Sequence, residues 1–143
     1  MIKVLFVCLG NICRSPMAEM MFKDLVKKNN LQNSFHIESC ATSYEEEGND
    51  MYPPAKSILD SKAIPYTRHF SKRLEKSDYE KFDYFICMED SNIRNISYIF
   101  DDYDNKVIKL LDRNISDPWY TGNFIITYND LVEGIDKFIK RVK

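Results

Sequence analysis

Short apolar runs alternate along this chain with longer stretches in which apolar residues recur at helical spacing. The runs are typical of strands buried on both faces of a parallel sheet, and they cover residues 3–8, 35–40, 83–88 and 106–111. A helix is predicted to open at Ser15-Pro16, with serine as the cap and proline at the first helical position. Further helices are predicted over residues 53–62, 90–100 and 128–142, and loops over residues 45–52 and 117–123.

This order of elements predicts an α/β fold with one domain over residues 1–143, built on a four-stranded parallel sheet flanked by helices. In such sheets ligands bind at the carboxyl ends of the strands, where loops lead into helices. Cys8 is the last residue of the first predicted strand, and it therefore lies where a ligand is expected.

The charge of the chain narrows the choice of partners. Its 143 residues have a formal net charge of −2, so no overall field would draw it to nucleic acid or to an anionic membrane, and neither is expected as a partner. No cleavable leader and no run of 18 apolar residues is visible, which predicts a cytoplasmic location. An anionic substrate must then be held by a local device.

The cysteines and histidines do not form a metal-binding pattern. Cysteines stand at positions 8, 13, 40 and 87 without a C-x-x-C pair, and His36 and His69 are isolated. Structural zinc sites use paired cysteines with histidines nearby. No metal and no cofactor are therefore expected, and the cysteines are predicted to be reduced thiols.

A ten-residue segment, V-C-L-G-N-I-C-R-S-P at residues 7–16, joins the first strand to the first helix. Loop N–H groups and the unpaired donors of a helix start can converge there on one anion. Gly10 and Asn11 suit left-handed backbone angles, and Arg14 can grip two phosphate oxygens at once. The predicted phosphate-binding residues are Leu9, Gly10, Asn11, Ile12, Cys13, Arg14 and Ser15.

The same donors and the charge of Arg14 would stabilise a thiolate at Cys8, and the Ser15 hydroxyl is placed to donate a hydrogen bond to that sulfur. Cys8 is thus predicted to attack the phosphorus that the loop holds. A buried structural cysteine beside a helix cap would explain each piece alone. The joint spacing at a strand-to-helix turn favours the catalytic interpretation.

This segment resembles the phosphate loop of the low-molecular-weight protein tyrosine phosphatases. Residues 82–88, F-D-Y-F-I-C-M, are similar to the third-strand signature of that family, and residues 117–120, D-P-W-Y, to its Asp-Pro-aromatic-aromatic loop. The resemblance implies a Rossmann-like fold of the phosphotyrosine phosphatase I type. It also implies hydrolysis of phosphotyrosine proteins or peptides and of small aryl phosphates through a cysteinyl-phosphate intermediate, with inorganic phosphate as product.

The resemblance assigns roles to residues outside the loop. Asp117 is expected to protonate the leaving aryl oxygen and then to take a proton from water, and Trp119 and Tyr120 are expected to wall the substrate slot. Tyr44 is expected at the rim of the slot, although the aromatic residue is shifted there relative to the family pattern. Ser39 and His69 are expected to hold the loop's asparagine and serine in place.

Two further departures from the family pattern are Lys72, at a usual arginine, and Glu89, at a usual aspartate. We interpret them as bearing on substrate selection and not on the chemistry.

Two other features of the sequence lead to hypotheses about oxidation and about substrate charge. Cys13 could capture an oxidised Cys8 as a disulfide, and the acidic run Glu45-Glu46-Glu47, with Asp50 behind it, could repel acidic substrate flanks.

Three alternative functions are open at this point. An arsenate reductase on the same fold would need two further cysteines close together, and that region contains only Cys87. A protein-arginine phosphatase would be expected to have threonine where this chain has Ile12, an apolar residue better suited to a phenyl ring. A silent phosphate- or nucleotide-binding module would not need Asp117, and no G-x-G-x-x-G or Walker loop is present.

Overall fold

Four strands form one parallel sheet in this computed structural model, which describes residues 1–142. The strands are β1 (Ile2–Cys8), β2 (Phe35–Ala41), β3 (Tyr84–Cys87) and β4 (Val107–Lys109). The helices are α1 (Arg14–Lys28), α2 (Pro53–Ser61), α3 (Asp90–Ser97), α4 (Pro118–Thr121) and α5 (Phe124–Val142), and a short 3₁₀ helix covers Lys76–Glu80. The predicted fold class is confirmed.

The strand order is β2-β1-β3-β4, so β1 lies inside the sheet between two parallel neighbours. Its register runs from Ile2 beside Phe35 to Cys8 beside Ala41, and on the other side from Val4 beside Tyr84 to Val7 beside Cys87. Residues 4–7 of β1 are buried on both faces of the sheet, as the continuous apolar run predicts. Cys8 therefore lies at the carboxyl end of an interior strand.

Alternate side chains of β1 belong to two apolar clusters, one on each face of the sheet. Val4, Phe6 and Cys8 belong to the larger cluster with residues of α1, α2 and α5, while Leu5 and Val7 belong to a smaller one. Aromatic contacts hold the larger cluster together: the Phe22 ring on α1 lies 5.9 Å from Phe6, 5.2 Å from Phe35 and 5.7 Å from Phe138, all edge to face. The sheet and α1 thus fix both ends of the segment between Cys8 and Arg14.

Two predicted boundaries near the site are wrong. The first helix begins at Arg14, with Cys13 as its N-cap residue. Ser15 is therefore inside the helix, and its hydroxyl contacts Cys8 and does not cap the backbone. Residues 117–123 are not only a loop, since Pro118–Thr121 form α4. Asp117 caps that helix by accepting a hydrogen bond from the Trp119 N–H at 3.0 Å.

The last helix also differs from its prediction, beginning at Phe124 and not at residue 128. Gly134 lets α5 approach the segment after β4, because a Cβ atom at that position would lie 2.4 Å from Leu110 Cγ. No helix within residues 1–142 is long and apolar enough to cross a membrane.

Candidate active site

The phosphate loop between β1 and α1 turns its carbonyl groups away from its centre. Each carbonyl from Leu9 to Cys13 accepts a hydrogen bond from outside the loop or from the helix. The donors, in order, are the N–H of Ser43 (3.1 Å), the hydroxyl of Ser71 (2.8 Å), Nε2 of His69 (2.8 Å), the N–H of Tyr52 (2.9 Å) and the N–H of Met17 (3.0 Å). Since the carbonyls are bound outside, the loop's N–H groups are left for an anion.

One residue gives the loop its sharp turn. Asn11 has a φ of 60°, in the left-handed region that asparagine tolerates. Gly10, which was predicted to share this role, does not have a positive φ. It instead permits a close approach, because a Cβ atom at Gly10 would lie 3.4 Å from Cγ of Glu46.

Cys8 Sγ lies at the base of the loop and the residue is 3% exposed. The N–H of Asn11 donates to the sulfur at 3.3 Å, and the Ser15 hydroxyl oxygen lies 3.0 Å from it. Asn11 Nδ2 donates to that same hydroxyl at 2.8 Å, so the single hydroxyl proton of Ser15 has two acceptors, the sulfur at 3.0 Å and the Cys40 carbonyl oxygen at 3.4 Å. The Asn11 N–H and the Ser15 hydroxyl thus converge on the sulfur.

Ser39 and His69, the two residues expected to hold the loop, both contact Asn11. Asn11 Nδ2 donates to Ser39 Oγ at 3.0 Å, and His69 Nε2 lies 2.8 Å from the Asn11 carbonyl oxygen and 3.0 Å from its Oδ1. Both oxygens are acceptors, so His69 Nε2 carries the proton. Burial lowers the pKa of His69, against the opposing effects of its Asn11 hydrogen bond and of Glu19, and the ring is held neutral.

Glu19 extends this network and was missed at the sequence level. Ser39 Oγ donates to Glu19 Oε1 at 2.5 Å, and Lys23 Nζ lies 2.5 Å from Glu19 Oε2. The residue is 7% exposed. A signal was present, because Glu19 follows Ser15 by four residues and so lies on the same, buried face of α1. A glutamate on that face needs a polar partner.

Arg14 is 2% exposed and is held by three oxygens. Its Nη1 donates to Glu89 Oε2 at 2.5 Å and to the Ile115 carbonyl at 2.8 Å, while Nη2 lies 3.4 Å from Asp117 Oδ2. Burial disfavours the charge of Arg14, but Cys8, Glu89 and Asp117 outweigh it, and the pKa of Arg14 is raised. Arg14 is therefore a fixed positive charge beside the sulfur.

The interpretation that Glu89 bears only on substrate selection is wrong, because its side chain holds Arg14. Burial alone would raise the pKa of Glu89, but hydrogen bonds from Ser91 and Arg14 lower it, so a carboxylate faces the guanidinium. Lys72 differs, because its side chain pairs with Glu38 at 2.8 Å. Only its backbone N–H approaches the loop, at 3.4 Å from Asn11 Oδ1.

A cavity of about 80 Å³ opens above the sulfur. Its lining residues are Cys8, Leu9, Gly10, Asn11, Ile12, Cys13, Arg14, Glu45, Glu46, Asp117, Trp119 and Tyr120. α4 supplies the aromatic wall, and the Trp119 ring lies 4.8 Å from the Tyr52 ring behind it. Tyr44 is not among the lining residues, contrary to its expected place at the rim, because its ring packs 4.8 Å from the guanidinium of Arg73.

Cys13 lines the same cavity as Cys8, but its surroundings oppose ionisation. Burial, followed by the charges of Cys8 and Asp117, raises the pKa of Cys13 to about 12. Cys13 is therefore a protonated thiol at neutral pH. Within residues 1–142, no three histidine, cysteine, aspartate or glutamate side chains come together in a way that could hold a metal ion.

Comparison with known proteins agrees with this geometry. The family model described as low molecular weight phosphotyrosine protein phosphatase matches residues 3–143. This chain belongs to that family. A low molecular weight phosphotyrosine protein phosphatase of Schizosaccharomyces pombe is 37% identical over an alignment of 152 residues, which covers 99% of this chain and 97% of the relative.

Solved structures of the low molecular weight phosphatase fold superpose along the whole chain. YfkJ from Bacillus subtilis has a TM-score of 0.96 and 32% identity, with 99% of this chain and 94% of that chain covered. The Drosophila arginine phosphatase DARP has a TM-score of 0.89 and 28% identity, with 99% and 98% covered. The fold of this phosphatase family thus includes a protein named for a different phosphorylated residue, so the substrate must be argued from the site.

Proposed function

We propose that this chain hydrolyses phosphotyrosine and small aryl phosphates with Cys8 as nucleophile, Arg14 as phosphate clamp and Asp117 as general acid and base. One observation supports this most strongly. The buried sulfur, the arginine and the aspartate line a single cavity whose outer wall consists of Trp119 and Tyr120.

The first step transfers the phosphoryl group to sulfur. The phosphate oxygens bind the inward N–H groups of the loop and the guanidinium of Arg14. The Cys8 thiolate attacks phosphorus, so an S–P bond forms while the P–O bond to the aryl group breaks. Protonated Asp117 gives its proton to the departing aryl oxygen. That oxygen must leave past α4, on whose N-terminal side Asp117 lies.

The second step regenerates the enzyme. Asp117, now a carboxylate, takes a proton from a water molecule as its oxygen attacks phosphorus, and the S–P bond breaks. The sulfur leaves as a thiolate, which accepts hydrogen bonds from the Ser15 hydroxyl and the Asn11 N–H. Inorganic phosphate is released, and every proton is accounted for by Asp117.

The walls of the cavity favour an aryl substrate. Trp119 and Tyr120 offer aromatic faces, and Ile12 adds an apolar side chain to the lining. We therefore propose phosphotyrosine proteins or peptides as the partners.

Arginine phosphatase activity is the second candidate, because DARP shares the fold. Arsenate reduction is less well supported, since Cys40 and Cys87 are both buried within strands and have raised pKa values owing to burial. A cytoplasmic location stays a prediction from the sequence.

The test compares hydrolysis of p-nitrophenyl phosphate, a phosphotyrosine peptide and a phosphoarginine peptide. We expect turnover of the first two and little of the third. Cys8→Ser should reduce kcat at least about a thousandfold while inorganic phosphate still binds, because the loop survives without its nucleophile. Cys87→Ala is the matched control, since that thiol is buried on the other face of the sheet. Turnover near the wild-type rate in Cys8→Ser would refute the assignment.

A further inference from the structure

Exposed apolar side chains are concentrated beside the catalytic cavity. Trp119 is 52% exposed, Tyr120 78%, Ile125 64% and Ile126 52%, and all four lie within eight consecutive residues. Apolar groups grouped in this way on a surface commonly mark an interaction site. Of these four residues, only Trp119 and Tyr120 line the catalytic cavity. The cavity therefore does not explain the exposure of the two isoleucines.

A second, wider groove lies next to this segment. We call it the α2–α5 groove; its lining residues are Pro53, Pro54, Ser57, Ile58, Ser61, Lys62, Thr121, Gly122, Asn123, Phe124 and Ile125. Its volume of about 870 Å³ compares with about 80 Å³ for the catalytic cavity. The catalytic cavity is narrow, whereas the groove is a wide and open surface that a complete side chain could contact.

The groove and the catalytic cavity share a wall. Trp119 and Tyr120 of α4 line the cavity, and the next two residues, Thr121 and Gly122, line the groove. Behind α4, the Tyr52 ring lies 4.8 Å from Trp119 and 6.2 Å from Phe124, which itself lines the groove. A ligand that leaves the cavity over α4 therefore meets the groove directly.

We propose that the α2–α5 groove binds an apolar side chain of the substrate, three or four residues away from the phosphotyrosine. The proposal rests on the proposed function. A helix with its side chains is about 10 Å across, and an extended peptide advances about 3.3 Å per residue, so about three residues are needed to cross α4.

The chemistry of the groove favours this occupant. Two prolines, two isoleucines and a phenylalanine supply apolar surface, and Lys62 is the one charged residue of the lining. The groove thus offers no carboxylate to a basic side chain. The catalytic cavity itself has two acidic lining residues outside α4, Glu45 and Glu46. Apolar selectivity is expected only on the side of α4.

The test uses phosphotyrosine peptides with a serine background in which one leucine is placed at each position from five residues before to five residues after the phosphotyrosine. We expect kcat/KM to rise about fivefold when leucine is three or four residues away on one side, because partial burial of a leucine contributes that much. Ile125→Ser should reduce this preference, and Ser57→Trp, which fills the groove, should abolish it. Ile126→Ser is the matched control, because Ile126 is equally apolar and exposed but does not line the groove.

Hydrolysis of p-nitrophenyl phosphate separates this proposal from the proposed function, because that substrate has no flanking residues. All three variants should hydrolyse it at the wild-type rate. Equal kcat/KM for every leucine position would overturn the proposal, and so would an equal loss of preference in Ile125→Ser and Ile126→Ser. A monomer–dimer equilibrium that Ile125→Ser abolishes, in the absence of any leucine preference, would assign the groove to a second copy of the chain and also overturn it.

Discussion

Two acidic side chains contact the guanidinium of Arg14 at different distances. Glu89 holds Nη1 at 2.5 Å, while Asp117 lies 3.4 Å from Nη2. The shorter contact keeps the guanidinium in place, and the longer one is easily exchanged for a phosphate oxygen. Asp117 would then be free to face the leaving group, so the difference between these two distances fits a clamp and an acid that work in sequence.

Asp117→Asn should slow hydrolysis according to the leaving group. Asparagine can still cap α4 but cannot donate a carboxyl proton, and general acid catalysis contributes about 10²–10⁴-fold when the leaving oxygen needs a proton. We expect a large loss of kcat with phenyl phosphate and a much smaller loss with p-nitrophenyl phosphate. Asp112→Asn, at an exposed aspartate before the loop, is the control. The same loss with both substrates would remove Asp117 from this role.

Residues of the continuous motif could be predicted from the sequence, and those that support it could not. The spacing from Cys8 to Arg14 indicates a phosphate loop because the chemistry is local. Glu89 stands 75 residues from Arg14, and no rule of spacing joins them. Tyr44 shows the opposite error: an aromatic residue near the slot in sequence instead packs on Arg73, because a cation–π contact directs it there.

At the scale of elements, the segment from His69 to Ser71 holds the phosphate loop in shape. Ser71 Oγ donates to the Gly10 carbonyl at 2.8 Å, and His69 Nε2 contacts the Asn11 carbonyl at 2.8 Å. The segment is itself fixed, since the His69 N–H donates to Asp50 Oδ1 at 2.9 Å. Loop geometry therefore depends on a histidine whose Nε2 atom carries a proton.

Acid should weaken the fold through His69. Its pKa is lowered in the folded protein, so the unfolded chain binds more protons from about pH 6.5 downward, and stability falls as the pH falls through that window. Glu19, Lys23 and Arg68 are the charged groups that act on the ring. We expect urea unfolding to show a larger loss of stability between pH 7.5 and pH 5.5 in the wild type than in His69→Gln. An unchanged loss in His69→Gln would contradict the assignment.

The loop also places Cys13 in the cavity with Cys8, which supports the redox hypothesis. Peroxide would oxidise the Cys8 thiolate to a sulfenic acid. The Cys13 thiol would then displace its hydroxyl group, forming a disulfide and releasing water. Peptide mapping should detect a Cys8–Cys13 link, and thiol should restore activity. Cys13→Ser should recover much less than Cys40→Ala, whose cysteine lies outside the cavity. Equal recovery would contradict the hypothesis.

Elements were missed altogether where they are short. α4 has only four residues, too few for a periodic pattern, and an Asp-Pro pair is common in turns. The 3₁₀ helix at Lys76–Glu80 was not predicted for the same reason. The longer β1 and α1 could be predicted well because burial on a sheet face or a helix face imposes a repeated pattern.

At the scale of the whole molecule, a net charge of −2 hides an uneven distribution around the site. Glu45 and Glu46 line the cavity. Glu47 instead accepts the Arg73 N–H at 3.1 Å, and Asp50 is neutralised by Lys56 and by Arg68. Folding thus reduces the acidic run of the sequence to two residues that face the substrate.

Glu45→Gln combined with Glu46→Gln should shrink a preference for basic over acidic flanks in phosphotyrosine peptides. Exposed charges act over a Debye length of about 8–10 Å, so both carboxylates reach a peptide in the cavity at physiological salt. The measurement is kcat/KM for matched peptides at low and high salt, and salt should also reduce the preference. Glu47→Gln should reduce it less, because Glu47 does not line the cavity. Absence of any flank preference in the wild type at low salt would contradict this role of the rim.

Strand order is the property of the whole molecule that the sequence did not specify. Alternating strands and helices predict a parallel sheet, yet they do not tell which strand lies inside it. The interior place of β1 depends on its pairing with both β2 and β3, which only the packed structure reveals.

During synthesis on a ribosome, β1 emerges before both of the strands that flank it. Val4 pairs with Tyr84, so the strand that ends in the nucleophile lacks one neighbour until most of the chain has been translated. Arg14 cannot meet Glu89 before then, and Asp117 follows later still. Cys8 is thus translated long before Glu89 and Asp117, which contact Arg14 in the folded site, and the arrangement is complete only once residue 117 has been added.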